Sequence, residues 1–429
     1  MAQVKRTLAE WLALQEQVHV RAIDLGLGRV GTVAATLGLQ RPRYRVITVA
    51  GTNGKGSTVA TLEALLLAQG LRVGTLTSPH LLRYNERIRV EGREATDAQL
   101  VAVFETVEAS RGATTLTFFE YNTLAALLLF AETQVDVAVL EVGLGGRLDA
   151  TNLVDADVAV LCSVGFDHRD WLGDTLDAIG AEKAGIFRSG RPAVLGTPEM
   201  PPSVYAAIEQ LGARAVIAER QFSWQITAGT WTYRGLQGEI TGLPAPRLAG
   251  RIQYRNAATA LVAVESLMQV AGQQLRAAPL TREVIASALG TVVVMGRFQI
   301  IPGPVEWILD VSHNEPAARI LKENLAERPV SGRTLAVCGI LQDKDAGEIA
   351  RVLEASAAIW IACALPGARG GTAAALAARL APAIRATHEA DSVAAGCELA
   401  RQLARPGDRV LVFGSFSTVT AALEWLQIH

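Results

Sequence analysis

"VITVAGTNGKGSTVATLEALL", Val46–Leu66, reads as a strand, a glycine loop and a helix, with a lysine set among the glycines. Tyr44–Ala50 alternates little and is rich in β-branched residues, as a strand buried on both faces of a parallel sheet should be. Val59, Leu62, Leu65 and Leu66 recur at helical spacing, and Ser57 and Thr58 can cap that helix. The common phosphate-loop spelling, a glycine, four residues and then Gly-Lys-Ser/Thr, fails here. Val49 takes the first glycine's place and Gly56 follows Lys55. The physical parts are nonetheless present. Gly51, Gly54 and Gly56 let main-chain N–H groups face inward around an anion at the positive end of the helix. Lys55 adds a point charge, and the hydroxyl of Ser57 or Thr58 can reach a magnesium ion. An ordinary strand-to-helix turn seldom needs a lysine between two glycines, which favours a phosphate cradle.

A chain of 429 residues exceeds what one hydrophobic core usually serves, so two domains are expected. Half the residues are apolar, and a net charge of −2 gives no basic surface for nucleic acid. The start, "MAQVKRTLAEWLALQ", lacks an uncharged apolar segment with a cleavage site, and no apolar run is long enough for a bilayer. Cys162, Cys338, Cys363 and Cys397 show no paired spacing and read as reduced core residues of a cytoplasmic protein. Of 40 basic residues only five are lysines, leaving 35 arginines. A lysine that survives such a bias points to work arginine cannot do, as a compact charge or a reactive amine. Lys5 and Lys322 sit in polar helical contexts and read as solvated, whereas Lys55, Lys183 and Lys344 sit inside motifs.

Short apolar strands alternate with helical stretches: "YRVITVA", "LRVGTLT", "VDVAVLEV", "ADVAVLCSV", "RPAVLG" and "RAVIAE". This rhythm predicts an α/β fold with a P-loop-type, mainly parallel sheet. Between Phe222 and Tyr254 it gives way to alternating segments with turn residues, predicting appended antiparallel hairpins, followed by the helix "NAATALVAVESLMQVAG". The α/β rhythm restarts near "VVVMGRFQIIPGP" with "VEWILDVS", "RTLAVCGI", "AAIWIACALP" and "DRVLVFGS", predicting a smaller Rossmann-like domain. The boundary is placed near Met295, giving domains 1–295 and 296–429. "AALAARLAPAIRA" is expected to be one alanine-rich helix.

Ligands of open parallel sheets bind beyond the carboxyl ends of the strands. "VAVLEVGLGGRLDATN" ends a strand with Glu141, whose carboxylate could hold magnesium directly or through water. "AVLCSVGFDHRDWLG" places Asp167, His168 and Asp170 after another strand, and "TLTSPHLLRYNERIRV" places Ser78 and His80 after a third. "EKAGIF" puts Lys183 at a helix end. Gly143 and Gly145 do not make a dinucleotide fingerprint, because Leu148 stands where its third glycine belongs.

These motifs, with "DLGLGRV", "FFEYNTLAAL", "RNAATAL", "GRFQ", "LDVSHNEPAA" and "FGSF", occur in an order that resembles the folylpolyglutamate synthase/dihydrofolate synthase family of the Mur ligase superfamily. That family's own loop has glycine after the lysine. The resemblance implies ATP binding by Gly51, Thr52, Asn53, Gly54, Lys55, Gly56, Ser57 and Thr58, with Asn256, Arg297 and Asp310 as further nucleotide contacts. It implies one magnesium ion at Ser78 and Glu141, a second metal at His168, a carbamylated Lys183, and K+ as a further cofactor. Lys55, Lys183 and His168 are the implied catalytic residues. Asp24, Leu25, Gly26, Leu27, Thr117, Phe118, Phe119, Glu120, Leu148 or Asp149, Ser415 and Phe416 match positions linked to the pteroate substrate. One departure is Glu315, which intervenes between His313-Asn314 and Pro316.

The implied activity is ATP-dependent addition of L-glutamate to dihydropteroate and to tetrahydrofolate, through an acyl phosphate, by a cytoplasmic monomer. Phe118 and Phe119 offer a flat apolar surface for a pterin or aminobenzoate ring, and Asp24 or Glu120 could accept hydrogen bonds from its amino groups. A monofunctional folylpolyglutamate synthase, a cell-wall amino-acid ligase, a regulatory P-loop NTPase and a non-catalytic nucleotide-binding subunit are the competing readings. The cell-wall ligases usually carry a domain before the phosphate loop, and only 50 residues precede Gly51.

Overall fold

The structure, a computed structural model, describes residues 6–21 and 23–428; Lys5 lies outside them. One compact unit runs through Arg247 and resumes at Tyr254–Val292, and the other comprises Leu248–Gln253 and the chain from Val293 onward.

The first unit is built on an eight-stranded sheet. Its spatial order is Arg93–Glu94, Ile88–Val90, Val73–Leu76, Val137–Glu141, Arg45–Ala50, Val158–Leu161, Pro192–Leu195 and Arg214–Ile217. Only Ile88–Val90 runs against the rest, pairing antiparallel with both Arg93–Glu94 and Val73–Leu76; the other pairs are parallel. The mainly parallel sheet expected from the sequence is therefore the sheet found. Val46, Ile47, Val49 and Ala50 are all buried, which explains the uninterrupted apolar spelling. Arg45–Ala50 lies between Val137–Glu141 and Val158–Leu161, so the loop leaving it opens between two other strand ends. Asp157 fixes the start of this strand pair, accepting from the Val46 N–H at 3.0 Å and from Arg45 Nη1 at 2.9 Å.

The expected hairpins form a three-stranded antiparallel sheet, Ser223–Thr227, Thr230–Gly235 and Gly238–Pro244. Trp231 and Tyr233 bury their rings in the same core as Leu261 and Val264 of the helix Ile252–Ala271. The Tyr233 hydroxyl donates to Glu265 Oε2 at 2.9 Å, so the buried Glu265 carboxylate is satisfied.

The second unit is a six-stranded sheet in the order Gln299–Ile301, Glu306–Asp310, Arg409–Phe413, Thr334–Cys338, Ile359–Cys363 and His388–Ala390. All pairs are parallel except the first. The alanine-rich helix is shorter than expected. It spans Ala373–Leu380: Ala381 keeps helical φ and ψ and its N–H donates to the Ala377 carbonyl, but Pro382 has no N–H with which to continue the ladder.

No helix among the described residues is long and apolar enough to cross a membrane. The helix Phe118–Glu132 is apolar all round and almost wholly buried, as its composition requires. Its Phe130 ring lies against Gly74, where an added Cβ would overlap the ring. Gly74→Ala should therefore lower stability by about 1–3 kcal/mol through overpacking, read as a reduced urea midpoint at unchanged slope. Combining it with Phe130→Leu should recover part of that loss.

Candidate active site

The loop after Arg45–Ala50 is held open by two glycines. Gly51 has φ +151° and Gly54 φ +91°. A Cβ on Gly51 would stand 3.0 Å from Cys162 Cβ, and one on Gly54 would stand 3.1 Å from Asn256 Oδ1. The helix Lys55–Ala68 begins at the lysine, with Gly54 as its N-cap and no side-chain cap. Ser57 and Thr58 thus do not cap it; they are the third and fourth helical residues, inside the first turn. A left-handed glycine makes the entry, and the helix starts earlier than the hydroxyls suggest. Lys55 Nζ donates to the main-chain carbonyls of Gly51 at 3.0 Å and Thr52 at 3.4 Å, so the ammonium curls over its own loop.

The sequence reading missed what holds this loop: the chain leaving Val158–Leu161. The Thr52 N–H donates to the Ser163 carbonyl at 2.9 Å, and Thr52 Oγ1 both donates to the Gly165 carbonyl and accepts from its N–H, each at 3.0 Å. Ser163 Oγ accepts from the Asn53 N–H at 3.1 Å and donates to its carbonyl at 3.0 Å. Beneath the helix, Cys162 Sγ donates to Thr58 Oγ1 at 3.4 Å. The run of small residues in "LCSVG" was the available signal.

Glu141 ends its strand level with Val49, and its buried carboxylate accepts from the Ser78 N–H at 3.3 Å. The structure thus brings Ser78 and Glu141 together. His80 is drawn elsewhere, accepting at Nδ1 from Arg87 Nε at 2.7 Å. Burial and then the Arg87 charge lower its pKa, which leaves a neutral structural imidazole. His168 adopts a left-handed conformation (φ 52°) as N-cap of the short helix Arg169–Leu172, and its N–H donates to Asp167 Oδ1 at 2.9 Å.

Lys183 lies in the last turn of the helix Leu176–Ala184 and is buried. Burial, and secondarily the charge of Lys55, lower its pKa to about 7, against the pull of Asp167 and Asp149. It is held by the glycine loop after Glu141. A Cβ on Gly146 would stand 2.8 Å from the carbonyls of Glu182 and Lys183, and the Arg147 N–H donates to the Glu182 carbonyl at 2.8 Å. The glycines of "GLGG" thus serve close packing against the lysine-bearing helix.

Among the described residues, no three His, Cys, Asp or Glu side chains stand together as a metal cage. The buried Glu141 carboxylate beside the glycine loop suits magnesium, which keeps its waters and takes one or two carboxylates plus phosphate oxygens.

A second group of expected residues converges on one side of the sheet. Arg29 Nη1 donates to Asp24 Oδ2 at 2.7 Å, and Nη2 donates to the Asp24 carbonyl at 2.7 Å and to Glu120 Oε1 at 3.2 Å. Thr117 caps the helix Phe118–Glu132, and Glu120 Oε2 accepts from the Thr117 N–H at 2.8 Å. The Gly26 N–H donates to the Leu148 carbonyl at 3.2 Å. Asp149 is buried and accepts from the N–H groups of Leu144 (2.9 Å) and Thr151 (3.0 Å); burial raises its pKa against these bonds. Phe119 packs flat against Gly143, and Phe118 packs edge-on to Tyr84 at 5.8 Å under the Arg87 guanidinium. Leu25 and Leu27 are half-buried beside Gly26. Asp24 and Glu120 are thus both engaged by Arg29, which sequence reasoning did not single out.

In the second unit, Asp310 ends its strand and accepts from the N–H groups of Phe298 and Ser312, both at 2.8 Å. Arg297 lies over the Phe416 ring at 5.2 Å, and Ser415 caps the helix Phe416–Trp425. The extra Glu315 is accommodated by helix physics. Asn314 caps Glu315–Ala326 through the Ala317 N–H at 3.0 Å, Glu315 takes the first position, and Pro316 the second, where no N–H is needed.

Comparison with known proteins places these features in context. Residues 49–215 match the Mur ligase middle domain, and residues 296–416 match the Mur ligase glutamate ligase domain. The dihydrofolate synthase/folylpolyglutamate synthase of Escherichia coli K12 is 43% identical, over 98% of this chain and 97% of that one. The structure of Escherichia coli FolC in complex with DHPP and ADP has a TM-score of 0.92 at 43% identity, covering 100% of this chain and 99% of that chain. The bifunctional folylpolyglutamate synthase/dihydrofolate synthase of Yersinia pestis, complexed with AMPPNP and Mn ion, gives 0.90 at 42%, with 100% of both chains covered.

Lys55 Nζ hydrogen-bonds the loop carbonyls of Gly51 and Thr52, so its loss should spare the fold. Lys55→Ala should weaken binding of a nucleoside triphosphate at least tenfold by titration calorimetry, with the melting curve nearly unchanged. Lys55→Arg should rescue little, since a planar fork does not replace a compact ammonium there.

Proposed function

We propose the chemistry of this chain from one premise: it belongs to the dihydrofolate synthase/folylpolyglutamate synthase family of Mur ligases. It is an ATP-dependent acid–amino-acid ligase that adds L-glutamate to dihydropteroate, giving dihydrofolate, and to tetrahydrofolate, giving folylpolyglutamates. The observation that carries the site assignment is convergence at the carboxyl ends of one parallel sheet: the phosphate loop, Glu141 level with its strand, and a buried lysine whose pKa is about 7.

A carboxylate is a poor electrophile. In this reading its oxygen attacks the γ-phosphorus of ATP, ADP leaves, and the glutamate amine then attacks the acyl carbon and expels phosphate. No side-chain nucleophile is required, so catalysis is positioning and charge neutralisation. Amides of the loop from Gly51 to Thr58 and Lys55 hold the phosphates, while Asn256, Arg297 and Asp310 hold the rest of the nucleotide. Ser78 and Glu141 hold one magnesium ion and His168 a second, which supply charge neutralisation when bound. K+ is a further expected cofactor. The unit through Val292 carries the nucleotide, and the C-terminal unit carries the glutamate-ligase role.

Lys183 suits carbamylation because a carbamate forms from the neutral amine. With a pKa of about 7, roughly a tenth of the side chain is neutral at pH 6 and nine-tenths at pH 8. Enzyme stripped of CO2 should therefore regain activity faster at pH 8 than at pH 6 when dissolved CO2 is matched. Lys183→Ala should be inactive and partly rescued by a small carboxylic acid. An unmodified amine in fully active enzyme, seen by mass spectrometry, would rule the carbamate out.

Mass spectrometry of products from ATP, glutamate and either dihydropteroate or tetrahydrofolate tests the whole reading. Glutamate adducts of both acceptors are expected. ADP release that ignores acceptor and glutamate would instead indicate a nucleotide switch. In the same assay Glu141→Gln should raise the magnesium concentration needed for half-maximal rate several-fold.

A further inference from the structure

Arg29 joins segments that the chain keeps far apart. It is the second residue of the helix Gly28–Thr36, and its guanidinium turns back on the loop before that helix. Nη1 holds the Asp24 carboxylate at 2.7 Å, while Nη2 is shared between the Asp24 carbonyl at 2.7 Å and Glu120 Oε1 at 3.2 Å. Its Nε has no hydrogen-bond partner among the described residues, so the grip rests on the two terminal nitrogens. Glu120 cannot swing away, because its other oxygen is fixed by the Thr117 N–H in a capping box. Asp24 is also held by His19, whose Nε2 lies 3.1 Å from the same Oδ2 and whose Nδ1 lies 2.9 Å from Thr115 Oγ1. Arg21 stands farther off, at 3.9 Å. A planar fork reaching one carbonyl and two carboxylates is a geometry that lysine cannot reproduce.

We propose that Arg29, backed by His19, is a positioning residue for the pteroate end of the acceptor: it locks the Asp24–Leu27 loop to the Thr117–Glu120 helix start so that the two present one rigid wall. The inference rests on the assignment of those segments to the acceptor. Arg29 neutralises two carboxylates that would otherwise repel each other and an approaching electron-rich ring. It is remote in role from the phosphate loop, so its effect falls on acceptor recognition.

Steady-state kinetics of the full chain test this, with dihydropteroate, ATP and glutamate varied in turn. Arg29→Ala should raise the KM for dihydropteroate at least tenfold, with the KM values for ATP and glutamate and the Kd for ADP moving less than threefold. Arg29→Lys should fall between, keeping charge without the fork. Glu120→Gln, which keeps the capping acceptor but weakens the ion pair, should raise the same KM several-fold, and it carries the test if Arg29→Ala does not fold. Parallel changes in every constant, or an unchanged dihydropteroate KM, would overturn the role of Arg29. Wild-type protein that never adds glutamate to dihydropteroate would instead overturn the acceptor assignment itself, and this inference with it.

Discussion

A loop can present its amides to an anion only if something else holds the loop, and here the holder is the neighbouring strand's exit. Thr52 and Asn53 exchange hydrogen bonds with Ser163 and Gly165 through both main chain and side chain. The two segments emerge from adjacent parallel strands, and their registry (Ala50 beside Leu161) brings them level. On the other flank, Val49 pairs with Glu141, which brings the carboxylate to the same height. One central strand, Arg45–Ala50, thereby aligns the glycine loop, its brace and an acid that are separate in sequence. Preorganisation of this kind leaves little reorganisation for the moment of reaction.

The same packing gathers cations. Lys55 curls over the loop, and its charge helps lower the Lys183 pKa. Glycines make this proximity physical. Gly146 and Gly185 let the chain after Glu141 press on the helix that carries Lys183; a side chain at Gly185 would run into Arg147. Asn152 spans the same contact, donating to the Arg147 carbonyl at 3.0 Å and to the Gly185 carbonyl at 3.1 Å. The motifs "GLGGRLDATN" and "EKAGIF" are thus two sides of a single joint.

What was legible in the sequence was whatever repeats or punctuates. Unbroken β-branched runs gave away the buried strands, and alternation with turn residues gave away the Ser223–Pro244 sheet. Glycines around Lys55 marked the loop because Gly51 and Gly54 take positive φ, a backbone conformation that residues with a side chain rarely adopt. The limits of the helices were harder to read. Ser57 and Thr58 looked like caps because hydroxyls usually are, yet Gly54's backbone conformation made the entry instead. Ser163, Arg29 and His19 left almost no local signal. Each works by reaching a segment distant in sequence, and the long-range pairs Arg29–Glu120 and Asn53–Ser163 have no period to detect. Arg29 was hidden further by the abundance of arginine, whereas scarcity made Lys55 and Lys183 stand out.

Such a site is held against a free-energy gradient. A lysine with a pKa lowered from 10.5 to about 7 binds its proton less tightly when folded than when unfolded. Below about pH 7 the folded state carries the full cost of that buried charge, roughly 5 kcal/mol at 1.36 kcal/mol per pKa unit; the cost shrinks as pH rises towards 10.5. A stability-driven sequence would replace the lysine with an apolar residue. Keeping it makes sense if the charge is removed another way, by conversion to an anion beside a metal and phosphate. The groups that complete the chemistry are then also those that relieve the strain, and they bind the folded state preferentially. As a buried cation, the lysine costs the fold stability, and the conversion proposed above would lift that cost.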